Sequence, residues 1–196
     1  MEEIEAKFFV ISKETIRSGL SALGAQKTKD EFLMKRYVYD NPLAPKGDWI
    51  RIRQESDRVV LTFKSKKSHA IDGMLETEVT VSDFEKGAYI LSQTGLHVVA
   101  YQENYREVWN WRDVEIVVDT WPWLPPYIEI EGPNKSSVEQ AAQDLGFVME
   151  EAYFGTAYDL YASIYKVTNE EFHSIKRVSF DEPMPEILSA RRIAKS

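Results

Sequence analysis

"EIEAK", residues 3–7, sets the reading of the whole chain: two glutamates and a lysine stand at alternate positions with apolar residues between them. On a strand successive side chains point to opposite faces, so Glu3, Glu5 and Lys7 share one side while Ile4, Ala6 and Phe8 share the other. The pattern recurs along the chain. In "WIRIRQ" (49–54) Arg51 and Arg53 alternate with Ile50 and Ile52, and in "VVLTFKSK" (59–66) Thr62, Lys64 and Lys66 alternate with Leu61 and Phe63. "MLETEVTV" (74–81) sets Glu76 and Glu78 opposite Leu75 and Val79, "VEIVVD" (114–119) sets Glu115 and Asp119 opposite Ile116 and Val118, and "YIEIEG" (127–132) does the same with Glu129 and Glu131. With "FLMKRYVYD" (32–40) and "HVVAYQENYREVW" (97–109) there are about eight strands, the number that suits a small closed barrel.

Helices punctuate these strands rather than alternating with them. Ser12 is placed to cap "KETIRSGLSAL", with Gly24 as terminator; Ser82 with Glu85 and Ser136 with Glu139 form capping-box patterns before helices that end near Gly95 and Gly146. A fourth helix is expected from about Thr156 through Tyr165. The predicted fold class is α+β: a closed antiparallel β-barrel tunnel with helices packed outside. Residues 1–166 are expected to form the domain and residues 167–196 a charged C-terminal tail, partly helical.

The 196 residues carry a net charge of -8 and no cysteine, which excludes disulfides, thiolate metal ligands and cysteine catalysis. A sequence pI of about 5.0 argues against generic binding of nucleic acid or anionic membrane. With neither a leader pattern nor an apolar run of about 20 residues, a cytoplasmic location is the default expectation.

Sorted by sign, the alternate-face charges fall into two groups: Arg51, Arg53, Lys64 and Arg106 against Glu3, Glu5, Asp119, Glu129 and Glu131. Half-buried antiparallel strands ordinarily show such faces to water. If helices cover the apolar faces and the sheet closes, the charges turn inward, and uncompensated carboxylates there are costly. A mesh of salt bridges relieves that cost; so does a divalent cation shared between the carboxylates and a polyphosphate gripped by the cations. No phosphate-binding Gly-x-x-x-x-Gly-Lys loop, dinucleotide-binding glycine motif or serine nucleophile elbow occurs, and His69, His97 and His173 lack metal-ligand spacing.

The order of these segments resembles the CYTH superfamily, or triphosphate tunnel metalloenzymes, which includes class IV adenylyl cyclases, thiamine triphosphatases and inorganic triphosphatases. "EIEAK" is similar to its Glu-x-Glu-x-Lys signature. "WIRIR", "LTFK", "LETE", "NYREVW", "VVDTWPWLPPYIEIEG" and "AYDLY" (157–161) resemble its later strands and closing segment. By that resemblance Glu3, Glu5, Asp119, Glu129 and Glu131 are metal ligands for Mg²⁺ or Mn²⁺, with Glu76 ranked lower. Arg51, Arg53, Lys64 and Arg106 hold triphosphate oxygens, and Lys7, with Glu5, stands at the reacting phosphate. The implied activity is metal-dependent hydrolysis of a triphosphate. The alternatives are a class IV adenylyl cyclase acting on ATP and a non-catalytic polyphosphate or nucleotide binding module. The implied partner is a triphosphate-bearing small molecule, with no nucleic acid or membrane, and a homodimer is left open. Gly155 and Thr156 stand where some triphosphatases have a lysine, and "TWPWLPP" (120–126) replaces an often glycine-containing loop; its Trp121 and Trp123 are expected to pack rather than stack on a base.

Overall fold

The computed structural model describes residues 2–10, 12–40, 48–68 and 70–191; His69 and the final residues 192–196 lie outside them. The chain begins with two short strands, β1 (Glu2–Glu3) and β2 (Glu5–Phe9), and helix α1 (Lys13–Ala22). Strands β3 (Gln26–Asp40), β4 (Asp48–Gln54), β5 (Val59–Lys66) and β6 (Met74–Val81) precede α2 (Phe84–Gln93). Then come β7 (His97–Trp111), β8 (Val114–Thr120), β9 (Tyr127–Glu131) and α3 (Lys135–Asp144). The chain finishes with α4 (Ala157–Tyr165), α5 (Asn169–His173), β10 (Arg177–Val178) and α6 (Glu186–Ser189).

The strands form one sheet in the order β1-β6-β5-β4-β3-β7-β8-β9-β2, antiparallel apart from β10, which runs parallel to β7. β1 and β2 are one N-terminal strand interrupted at Ile4. Its first part pairs with β6 and its second with β9, so the first residues of the chain touch both edges of the sheet.

The expected closed barrel is corrected to an open, curled half-barrel. Among the described residues, only Leu75 and Met74 of β6 have partners in the N-terminal strand, Glu2 and Glu3. From Glu76 to Val81 that edge of β6 has no strand neighbour among the described residues, and Val79 is 54% exposed. The N-terminal strand changes partner at Ile4, and the five residues from Glu5 to Phe9 pair with β9 instead.

The apolar faces turn outward under the helices, as the alternation requires. Ala6, Phe8, Ile116, Val118, Ile128 and Ile130 pack beneath Ile16 and Leu20 of α1 and Val138, Ala141 and Ala142 of α3. Ile52 and Tyr39 pack beneath Phe84, Ala88 and Leu91 of α2. Glu107 is the charged exception on this side, and it is buried; it accepts from Arg17 Nε of α1 at 3.1 Å and from Trp109 Nε1 at 2.6 Å. Residues of α4, α5 and α6 join β10 in a third cluster, with Leu160, Tyr161, Phe172, Val178 and Leu188 buried against Trp121 and Leu124.

Ser12 caps α1 as predicted, accepting from Thr15 N, and Gly24, Gly95 and Gly146 follow the first three helices at positive φ. Two caps differ from expectation. Asp83, not Ser82, accepts from Lys86 N, and Asn134, not Ser136, accepts from Ser137 N. Asp and Asn cap at least as well as Ser, so small shifts in helix start select them. No helix among the described residues is long and apolar enough to cross a membrane.

Ile130 is fully buried between the sheet and the α1 and α3 helices. Ile130→Ala is expected to lower the unfolding free energy by about 2–5 kcal/mol in urea denaturation; a loss below about 1 kcal/mol would contradict this packing.

Candidate functional site

Strand register carries the charges to the concave side in an unbroken series. Lys7 lies opposite Glu129 and Glu5 opposite Glu131; Glu131 lies opposite Glu115, and Asp119 opposite Arg106. Farther round the sheet Arg36 lies opposite Arg53, Arg51 opposite Thr62, and Lys64 opposite Glu76. The curl encloses a cavity of about 1440 Å³. Glu3, Glu5, Lys7, Arg51, Arg53, Lys64, Arg106, Asp119, Glu129 and Glu131 all line it, so every residue singled out in the sequence comes to one site.

Within the cavity, carboxylates and cations interlock. Lys7 pairs with Glu5 and, at 3.2 Å, with Glu129. Lys64 reaches Glu3 at 2.9 Å and Glu76 at 2.5 Å. Arg106 holds Asp119 in a two-pronged contact, Nε to Oδ1 at 2.8 Å and Nη2 to Oδ2 at 2.6 Å. Asn104 Nδ2 donates to the same Oδ1 at 3.1 Å, so Asp119, fully buried, engages both its oxygens inside the protein. Asp119 is in this arrangement the anchor of Arg106. Among the described residues no group of three or more acidic or histidine side chains is gathered as a ready metal cluster.

The charge balance is uneven across the site. Burial alone lowers the Lys7 ammonium's pKa, but Glu129 and Glu5 outweigh it and hold the group above its ordinary value, firmly protonated. Burial, a hydrogen bond with Glu76 and repulsion from Glu5 and Glu76 push Glu3 up to about 8, although Lys64 pulls the other way. Glu5 is raised by burial and then by Glu129. Glu131, the last residue of β9, is pushed up to about 7 by desolvation, Glu129, Glu5 and Glu115. Glu3 and Glu5 stay raised even though Lys64 and Lys7 pair with them, whereas Lys7 and Arg106 outweigh burial and hold Glu129 low. Oxygen-only donors in that condition suit a hard divalent cation such as Mg²⁺ or Mn²⁺, so the residues present fit the metal.

On β3 and β4 the guanidiniums crowd one another, although Arg53 pairs with Glu55 at 2.5 Å and Arg51 with Glu76 at 3.8 Å. Burial and then Arg53 lower Arg51 to about 10, and the Nε atoms of Arg36, Arg51 and Arg53 are buried with no hydrogen-bond partner. Buried donors without acceptors fit an anion with several oxygens.

Sequence reasoning missed three lining or supporting groups. Glu115, which the alternation had already put on the charged face, lines the cavity as well. Arg36 sits in "FLMKRYVYD", where Met34, Arg36 and Val38 alternate inward, but one cation among apolar neighbours carries little signal. Glu55, in the turn between β4 and β5, is 8% exposed and pairs with Arg53 at 2.5 Å and Arg58 at 2.7 Å. Asn104 is fully buried and touches both Arg36 and Asp119, a role that exists only across strands. Trp121 packs, as expected: it is 4% exposed, with the Arg36 guanidinium 4.7 Å from its ring centroid. The closing segment explains why that loop is held. Tyr161 donates its hydroxyl to the Pro122 carbonyl at 2.6 Å, and Tyr165 donates to that of Trp123.

The CYTH domain family model matches residues 1–159. The chain belongs to the CYTH domain family. A Methanocaldococcus jannaschii protein named "Putative adenylate cyclase" is 28% identical to this CYTH chain over 134 residues, covering 67% of this chain and 77% of that one. A Pyrococcus horikoshii structure superposes with a TM-score of 0.71 at 19% identity, over 81% of this chain and 98% of that one. A Hippeastrum protein described as a "Putative adenylyl cyclase" that "reveals a dominant" triphosphatase activity gives a TM-score of 0.54 at 17% identity, over 82% and 95% of the two chains.

Glu55 tethers Arg53 in the cavity, and its carboxyl is held low because Arg53 and Arg58 outweigh the effect of burial. A lowered folded-state pKa means that the unfolded chain binds the proton more readily. The pair's contribution is therefore present above the ordinary glutamate pKa and is lost as pH falls through the folded value. Glu55→Gln is expected to lower the melting temperature at neutral pH and to leave less further loss on acidification, as followed by circular dichroism between neutral and acid pH. An unchanged acid limb would exclude the tether.

Proposed function

We propose that this CYTH domain is a divalent-metal-dependent enzyme that hydrolyses a triphosphate in its concave cavity. The observation that carries the reading is the division of the cavity: buried guanidiniums with unpartnered Nε donors stand on one wall, and carboxylates raised by burial and mutual repulsion on the other. A pure anion receptor gains nothing from repelling carboxylates, and a pure cation site gains nothing from the arginines. A metal-bound polyphosphate satisfies both.

Glu3, Glu5, Glu129 and Glu131 would hold Mg²⁺ or Mn²⁺. When bound, the ion neutralises phosphate oxygens and lowers the pKa of coordinated water. Arg51, Arg53, Lys64 and Arg106 bind and orient the phosphate chain, the arginines with two-pronged contacts. Asp119 keeps Arg106 aimed. Lys7, kept protonated by Glu5 and Glu129, works by charge at the struck phosphate rather than as a base. Hydrolysis adds the oxygen of water to the terminal phosphorus and breaks its bond to the bridging oxygen. The description of the Hippeastrum relative supports this order of preference.

The second reading is a class IV adenylyl cyclase, favoured by the name of the Methanocaldococcus relative. There the ribose 3′-hydroxyl of ATP attacks the α-phosphorus and pyrophosphate leaves. Purified protein incubated with tripolyphosphate or ATP and Mg²⁺ or Mn²⁺ is expected to release phosphate without forming cyclic AMP. Cyclic AMP with pyrophosphate would establish the cyclase instead, and silence with every pairing would defeat both.

Glu129→Gln is expected to reduce metal-dependent turnover at least about a hundredfold, the scale of losing an electrostatic group at a reacting phosphate. The melting temperature should stay within a few degrees of wild type. Full activity would remove Glu129 from the site.

A further inference from the structure

Arg36 belongs to none of the charged motifs, yet it is 6% exposed and stands in the middle of the cation wall. Its Nη2 donates to Asn104 Oδ1, its plane lies over Trp121, and its Nε is buried without a partner. No carboxylate forms an ion pair with it among the described residues. It faces Arg53 directly across the β3–β4 ladder, with Arg51 two positions along.

We infer that Arg36 is a further anion-binding residue, which forms with Arg51 and Arg53 a phosphate subsite on β3 and β4. The inference rests on the triphosphate reading and deepens it. A purely structural role is a poor account of the geometry. Burying a cation beside like charges, with one donor unsatisfied, costs stability that an apolar residue of similar size would not cost. The Arg36 guanidinium is itself pushed well below its ordinary pKa, first by burial and then by Arg51, Arg53 and Arg106. An anion with several oxygens accepts from all three Nε donors and removes the repulsion.

The subsite is also displaced from the reacting end. Glu129, the partner of Lys7, is on β9, three strands along the sheet from β3. With Lys7 and Arg36 on strands that are not neighbours, the inference has Arg36 hold a phosphate other than the one beside Lys7, which favours a chain of phosphates over a single one. Asn104 and Trp121 hold the guanidinium in place for that contact, one by hydrogen bonding and one by stacking.

The test is Arg36→Met, which removes the charge and keeps most of the volume. Tripolyphosphate binding is measured by titration calorimetry with EDTA and again with Mg²⁺, alongside the melting temperature of the free protein. The variant is expected to bind tripolyphosphate at least about tenfold more weakly, as for loss of a charge-assisted contact. Its melting temperature should equal or exceed that of wild type. Wild-type binding that the variant leaves within about twofold overturns the inference and spares the triphosphate reading. Weaker binding together with a lower melting temperature assigns Arg36 a structural role and also overturns it. Wild-type protein that binds no tripolyphosphate in either condition overturns the triphosphate reading, and this inference with it.

Discussion

The constraint on which the structure depends is that a strand alternating charge with hydrophobe has one face for oil and one for ions. Once α1, α2 and α3 cover the apolar face, every charged inward side chain of β2 through β9 must find electrostatic company inside the curl. Ion pairs supply part of it: Lys7 between Glu5 and Glu129, Lys64 between Glu3 and Glu76, Arg106 on Asp119. In a partly dry cavity these contacts are stronger than in water, but each charge has also surrendered its hydration. Ion pairing leaves the Nε donors of Arg36, Arg51 and Arg53 without partners and Glu3 and Glu5 raised, which is the imbalance the proposed site rests on.

A chain of contacts links the outer scaffold to that imbalance. Tyr161 and Tyr165 of α4 hold the carbonyls of Pro122 and Trp123, which fixes the loop carrying Trp121. Trp121 supports Arg36, Arg36 donates to Asn104, Asn104 donates to Asp119, and Asp119 holds Arg106. Aromatic packing at one end of the sheet is thereby converted into the aim of two guanidiniums. The C-terminal residues take part in the same cluster, since Phe172, Val178 and Leu188 are buried with Tyr161 and Tyr165. A substitution in this outer layer is thus a perturbation of the cation wall.

The open edge has a physical meaning of its own. The N-terminal strand must serve both margins of the sheet, and five of its residues pair with β9 while two pair with β6. Glu3 and Glu5 fall on either side of the interruption at Ile4, so the signature glutamates stand where the strand changes partner. Their placement beside Lys64 on one side and Glu129 on the other follows from that change.

Alternation in sequence determined most of the site: side-chain period on a strand is independent of the fold, so Glu5, Lys7, Arg51, Arg53, Glu129 and their companions could be assigned to one face by counting. Helix positions were also legible, because capping is local, although Asp83 and Asn134 took the caps from Ser82 and Ser136. Tertiary structure alone decided how far the sheet closes, because that depends on how a short strand divides its hydrogen bonds between two distant edges. It also decided the partners of Arg36, Glu55 and Asn104. Their roles depend on contacts between strands that lie far apart in sequence or on burial at a turn, and no spacing rule along one strand encodes either.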